Sequence, residues 1–320
     1  MHIRVFILFL MTVIFSSNGL ANTGFANKPE VKKFIAHMVQ KHHFVASELV
    51  GVFNEVKIRP SVIKSIKMPM EQKPWYTYQM LFVTEWRIRE GVAFWNKYQD
   101  ALERAEKKYG VPASIIVATI GVETKYGKST GNYRVIDALS NIAFSSSTRS
   151  RFFRSELEEF LLLVREQHLD ALKVMGSYAG AIGQPQFMPS SYRHYAVNFS
   201  GNSKIDLSHN EVDVIGSIAN YYKKHGWNTE QPVAKRTALK GKKYQFLAHS
   251  KENFADYGLG EYDHRTTKLI ELQGYFGREY WVGFHNFEVI KRYNPSDLYA
   301  MAVYQLSYYI SMLKGKTNNA

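Results

Sequence analysis

Gly121-Val122-Glu123-Thr124-Lys125-Tyr126-Gly127 places one carboxylate at the end of an otherwise apolar helix, just before a glycine. Pro112 suits the first turn of that helix, where its missing N–H costs nothing. Ala113 to Val122 is apolar nearly all round, so the helix is expected to be buried. Gly127 can end it in the left-handed conformation. A carboxyl group held against apolar walls has a raised pKa and can stay protonated near neutral pH. That is the state in which a general acid protonates a glycosidic oxygen. The same letters also fit a surface Glu in a last helical turn.

A second segment, Ser177 to Tyr192, combines small residues, amides and aromatics. Its glycines and alanines allow close backbone approach to a ligand. Gln186 and Ser177 offer neutral hydrogen bonds, and Tyr178, Phe187 and Tyr192 offer flat faces. Sugars match this mix, with amides for hydroxyl and acetamido groups and aromatics for the apolar ring face. The competing reading is a Gly-rich turn between two helices, with Gln186 capping backbone.

Together these segments resemble the membrane-bound lytic murein transglycosylase B family. Gly121–Gly127 is similar to its catalytic motif and Ala179–Tyr192 to its substrate-cleft motif. Further matches are Pro74–Tyr78, Ile215–Tyr222 with His225-Gly226-Trp227, and Tyr293–Ser296 followed by Tyr299–Leu306. They stand in order between residues 28 and 313, and several matches in register say far more than any one.

The resemblance implies a mainly α (α+β) fold: a lysozyme-like α core, a flanking helical region and a small β insertion. It implies that Glu123 is the catalytic residue. Ser177, Gln186 and Tyr221 would hold the glycan. Tyr78, Tyr293 and Tyr299 would line the cleft, with Asn294 orienting groups near Glu123. Phe152 stands at a substrate position where the family has tyrosine. Glu123 would protonate the oxygen between N-acetylmuramic acid and N-acetylglucosamine. It would then take the proton of the muramic C6 hydroxyl as that oxygen attacks C1 and closes a 1,6-anhydro ring. A hydrolytic muramidase would share Glu123 but leave a reducing end. A non-catalytic peptidoglycan-binding protein would tolerate loss of Glu123, so the retained acid argues against it.

Asn198–Asp206 resembles the family's calcium loop. A calcium site wants several carboxylates. Asn198 and Asn202 stand where the family has acids, Lys204 adds positive charge, and the register to Asp213 is one residue longer. Asn198, Ser200, Asn202 and Asp213 are the weak metal candidates of a loop expected to keep its shape with little calcium affinity. No cofactor is expected.

The elements that must carry these residues follow from composition and period. Arg4, the apolar run Val5–Phe15 and Gly19-Leu20-Ala21 read as a signal peptide over 1–21, cut after Ala21. About 299 of the 320 residues would then remain. The chain has no cysteine, which excludes disulfides, thiolate metal sites and a lipid-carrying cysteine. A periplasmic relative that is not membrane-anchored after cleavage is expected. The net charge of +13 suits an anionic partner, and peptidoglycan glycan strands bearing peptide carboxylates are one. No nucleic-acid motif is present, so nucleic acid is not expected as a partner.

Residues 22–110 read as helical. Glu30 to Leu49 is periodic, and Met80 to Lys108 is expected to break at Gly91 and end at Gly110. Residues 111–229 form the expected catalytic core, with 113–175 continuing helical and a further helix over Val212–His225. Residues 230–290 read as the β insertion, with strands at Lys243–Leu247, Lys268–Leu272 and Glu279–Phe284. Residues 291–320 return to a helix over Leu298–Leu313. Gly127-Lys128-Ser129-Thr130-Gly131 spells a nucleophile elbow, but a helix precedes it where the elbow needs a strand.

Overall fold

The computed structural model describes residues 24–66, 73–237 and 267–318. The chain divides into two compact units between Val56 and Lys57. In the first, α1 (Pro29–His42) buries Val31, Phe34, Ile35 and Met38, a stripe at helical spacing. It stops because His43 turns into the left-handed region at φ 57°. The periodic stretch Glu30–Leu49 is therefore two helices, the second being α2 (Ala46–Asn54), with Phe34 edge-on to Phe53 at 5.9 Å.

The second unit runs α3 (Pro60–Ile66), α4 (Trp75–Phe82), α5 (Glu85–Lys97), α6 (Gln99–Tyr109) and α7 (Ala113–Thr124). After β1 (Tyr133–Arg134) come α8 (Val135–Ala143), α9 (Ser150–Glu166), β2 (Met175–Gly176), α10 (Pro189–Tyr195) and α11 (Glu211–Lys224). The strands β3 (Ala234–Arg236), β4 (Lys268–Gly274) and β5 (Gly277–Gly283) then lead to α12 (His285–Lys291) and α13 (Asp297–Asn318). The centre is α7, packed by α5, α6, α11 and α13. Its residues from Ile115 to Val122 are all buried, which explains a run with almost no polar face. Truncating Ile116 or Ile120 to alanine would leave a cavity costing about 2–5 kcal/mol.

Gly91 does not break a helix; α5 runs through it. A Cβ there would lie 2.5 Å from Ile310 Cδ1 and 2.7 Å from Tyr126 Oη, so glycine is present for close packing against α13. The breaks fall at Thr84 and Tyr98 instead. Thr84 Oγ1 caps α5 by accepting the Arg87 N–H at 3.1 Å. The stretch 113–175 is likewise interrupted, at Lys125 and at Phe144.

The expected β insertion contains an antiparallel hairpin. Lys268 pairs with Gly283 and Gly274 with Gly277, and β3 lies on the other edge of β5. Ile270 and Leu272 point alternately inward, as period 2 requires. The expected strand Lys243–Leu247 and the expected signal peptide lie outside the described residues. Among the described residues no helix is long and apolar enough to cross a membrane.

Candidate active site

Glu123 sits one residue from the end of α7, and the chain then reverses through three left-handed residues, Lys125, Tyr126 and Gly127 (φ 53°, 59° and 80°). The helix thus ends three residues before the glycine expected to stop it. Two non-glycine residues in this region need compensation, and the side chains around them supply it. Thr124 Oγ1 donates to the Gln184 carbonyl at 2.9 Å and accepts the Gly127 N–H at 3.1 Å. Tyr126 donates to the Arg87 carbonyl at 2.6 Å, and Arg87 Nε donates to the Gly121 carbonyl at 3.0 Å. Burial holds the Arg87 guanidinium below its ordinary pKa. Gly121 leaves room for the Tyr126 hydroxyl, which would lie 2.5 Å from a Cβ.

From α13, Tyr299 donates to Glu123 Oε1 at 2.6 Å. Its ring is only 2 % exposed and stacks on Tyr293, 6.3 Å away at 16°. Tyr293 donates to the Pro185 carbonyl at 2.6 Å, tying this end of the chain to the loop after β2. Burial pushes the phenols of Tyr293 and Tyr299 well above their ordinary pKa, and the negative charge of Glu123 adds to it. Tyr221, 4.7 Å from Tyr293, donates to the Arg292 carbonyl at 2.6 Å. The carboxylate therefore stands beside neutral phenols that donate to fixed acceptors.

The other expected residues are placed as follows. Ser177 Oγ accepts the N–H groups of Ala179 and Ala181 at 3.3 and 3.1 Å, shaping the glycine-rich turn. Gln186 takes φ 50°, and its Nε2 donates to Thr130 and Gly183 carbonyls at 3.0 and 2.9 Å. Both amide hydrogens are engaged with backbone, so only its Oε1 can meet a ligand. Tyr78 is buried against Trp75 and Phe82. Phe152 lies on α9, 43 % exposed, beside Arg149 and Phe153 and apart from the Tyr293–Tyr299 cluster. Asn294 follows Tyr293 in the segment entering α13.

Residues that periodicity did not single out complete the surroundings. Tyr222, fully buried, shares a 2.9 Å hydrogen bond with Thr119 of α7. His225 stacks on Tyr221 at 4.0 Å, and Tyr195 lies 4.9 Å from the same ring. Glu156 is buried on α9 and accepts the Ser190 N–H at 3.0 Å and its O–H at 2.7 Å. An apolar helix and a Gly-rich loop were visible as patterns; a single buried polar contact between helices has no period to detect.

The calcium candidates are already engaged. Asp213 is fully buried, and its Oδ1 accepts the N–H groups of Phe199 and Ser200 at 2.9 and 2.8 Å while Oδ2 accepts that of Asp206 at 3.1 Å. Asn198 Oδ1 accepts the Gly201 N–H at 2.9 Å, and Ser200 Oγ that of Asn202 at 3.3 Å. Arg104 and Lys108 lie over the Phe199 ring at 4.6 and 5.6 Å. Backbone N–H groups thus take the side-chain oxygens of these residues, which hold the loop in its shape.

Comparison with known proteins agrees with this architecture. Membrane-bound lytic murein transglycosylase B of Escherichia coli K12 is 41% identical over 307 residues, covering 91% of this chain and 85% of that protein. The crystal structure of soluble lytic transglycosylase SltB1 from Pseudomonas aeruginosa matches with a TM-score of 0.83 at 44% identity, over 90% of this chain and all (100%) of that one. The Escherichia coli lytic transglycosylase Slt35 in complex with calcium matches with a TM-score of 0.79 at 39% identity, over 91% and 95% of the two chains. The mainly α, lysozyme-like architecture expected from the sequence is the one these neighbours share. Residues 26–308 match the transglycosylase SLT domain, and the chain belongs to that family.

Proposed function

We propose that this chain is a lytic murein transglycosylase that cuts the β-1,4 bond between N-acetylmuramic acid and N-acetylglucosamine in peptidoglycan, with Glu123 as both acid and base. The observation that carries this reading is Glu123 at the end of buried α7, oriented by the 2.6 Å bond from Tyr299. Tyr299 holds Oε1, so the proton to be donated belongs on Oε2. Glu123 gives that proton to the glycosidic oxygen as the bond to C1 breaks. Its carboxylate then removes the proton of the muramic C6 hydroxyl while that oxygen bonds to C1. The carboxyl is restored and no water is consumed. The substrate's own acetamido group assists at C1, as the family resemblance implies. Ser177, Gln186, Tyr221, Tyr78, Phe152 and Asn294 are the proposed glycan contacts.

A hydrolase of either stereochemistry needs a second carboxylate, to activate water or to act as nucleophile. Two acids of the same unit, Asp137 and Asp206, are otherwise engaged, which favours the anhydro route. Asp137 is fully buried, accepts from Arg134 at 2.9 and 2.7 Å and takes the Lys57 N–H at 2.9 Å. Asp206 accepts the Ser208 and His209 N–H groups at 2.8 and 2.9 Å. Mass spectrometry of a peptidoglycan digest decides between the routes, because anhydro ends are lighter than reducing ends by one water. Mostly reducing muramic ends would mean a muramidase. Glu123→Gln should keep the fold and lose at least about a hundredfold in activity, as general acid catalysis contributes ~10²–10⁴-fold.

The 198–213 loop is proposed to hold its shape through Asp213 without calcium. Export to the periplasm with cleavage after Ala21 completes the proposal. N-terminal sequencing of the exported protein should then begin at Asn22, and an intact Met1 would overturn it.

A further inference from the structure

A pocket of about 460 Å³ lies between strands β3 and β5 and the helices α4 and α13, within the ~300–1,000 Å³ of small-ligand sites. It is on the side of α13 turned away from Glu123. With 3.6 residues per turn, Ile310 returns to nearly the same helix face as Tyr299. Both pack inward, Tyr299 on Glu123 of α7 and Ile310 on Gly91 of α5. Tyr304 and Tyr308, which line the pocket, are turned about 140° and 180° from Tyr299 around the same helix.

The lining combines flat rings with fixed polar atoms. Trp281 stands edge-on to Tyr304 at 6.2 Å and 84°. Its indole N–H donates to Glu279 Oε2 at 3.2 Å, which fixes the ring on β5. Tyr308 and Tyr309 line the pocket while remaining exposed. Gln79 Nε2 donates to Gln305 Oε1 at 2.7 Å, so the two amides hold each other in place. Gln79 Oε1 and Gln305 Nε2 then remain as an acceptor and a donor with no protein partner among the described residues. A wholly apolar ligand would leave these amides unpaired, at a cost. An acetamido group matches both, its carbonyl accepting from Gln305 Nε2 and its N–H donating to Gln79 Oε1. The apolar face of a pyranose ring matches the aromatic rings. We infer that this pocket is a second saccharide site, taking an N-acetylhexosamine unit of a glycan strand that does not occupy the catalytic cleft. The choice of a wall glycan rests on the transglycosylase reading above. The site gives the enzyme a hold on the wall that is independent of the cleft.

The test follows the Trp281 indole N–H by nuclear magnetic resonance in the full chain, its signal assigned by its loss in Trp281→Phe. The probe is the β-1,4-linked trimer of N-acetylglucosamine. It should shift the Trp281 signal in the unaltered protein and equally in Glu123→Gln, since the pocket does not use that carboxylate. Tyr308→Ala truncates an exposed ring, so the fold should persist. It should raise the Kd read at Trp281 roughly two- to tenfold, the range of one aromatic contact. Cellotriose, which has the same ring faces without acetamido groups, should bind more weakly at Trp281. A Trp281 signal that ignores the trimer, in a protein that still cuts peptidoglycan, overturns the second site alone. An unchanged Kd in Tyr308→Ala also overturns it, and equal binding of cellotriose overturns the acetamido assignment. A responsive Trp281 in a protein that cuts no peptidoglycan would instead overturn the transglycosylase reading.

Discussion

The Tyr299–Glu123 hydrogen bond joins positions 176 residues apart. Tyr299→Phe keeps the ring and its stacking on Tyr293 but removes the donor. A hydrogen bond to a charged group contributes about 1.5–3 kcal/mol. If that orientation matters to the chemical step, kcat should fall roughly 10- to 100-fold, with the melting temperature shifted by only a few degrees. Steady-state kinetics on purified glycan strands measures the first and calorimetry the second; an unchanged kcat removes Tyr299 from the machinery. Glu156 makes a different statement about charge. Burial raises its pKa above the ordinary 4.5, and the two bonds from Ser190 offset part of that rise. The folded protein therefore holds this proton more tightly than the unfolded chain. Its contribution to stability is full below about pH 4.5 and is lost as pH rises through the folded-state pKa. Thermal melts from pH 4 to 7 should show the unaltered protein losing stability relative to Glu156→Gln. Parallel curves would mean that Glu156 titrates as an ordinary carboxylate.

At the scale of elements, much was legible and the failures share a cause. The α7 run could be read because a helix buried on every side has no polar face to confuse with solvent. The β4–β5 hairpin could be read because the apolar Ile270 and Leu272 flank the charged, outward Glu271. Gly91 was misread because its reason lies in Ile310 and Tyr126, far along the chain. Gln186 could be read as a sugar contact or as a cap on backbone, but its acceptors, Thr130 and Gly183, appear only once the loops meet. The resemblance placed Tyr299 only along the cleft, and its bond to Glu123 could not be read, because no local pattern links two helices so distant in sequence. The 198–213 loop gives the prediction for this scale. Asp213 already takes three backbone N–H groups, so millimolar calcium should leave the melting temperature nearly unchanged. A folded state that did bind calcium would gain about 2.7 kcal/mol at a hundredfold excess over Kd, a rise of several degrees. Such a rise would show that the loop rearranges to bind metal.

For the whole molecule, charge is the property that local structure does not use. The chain carries 41 lysines and arginines against 28 aspartates and glutamates. Several of the acids are held in specific pairs, Asp137 with Arg134 and Asp297 with Lys268 and Lys291. Many cations remain on the surface, where they keep the protein soluble and set up a positive field. A sacculus bearing peptide carboxylates is a polyanion, so the field should concentrate enzyme on it before any sugar enters the cleft. That contribution acts over the Debye length, about 10 Å at 0.1 M salt and 3 Å at 1 M. Glu123 and Tyr299 touch at 2.6 Å inside the protein and are screened far less. Raising salt from about 0.1 to 1 M should therefore raise KM on intact sacculi severalfold while kcat changes little. On short, stem-free glycan fragments, which carry few charges, the same salt step should leave KM almost constant. Initial rates across a substrate series at both ionic strengths separate the two parameters. If kcat fell and KM held, the surface charge would have no part in finding the wall, and salt would be acting on the site itself.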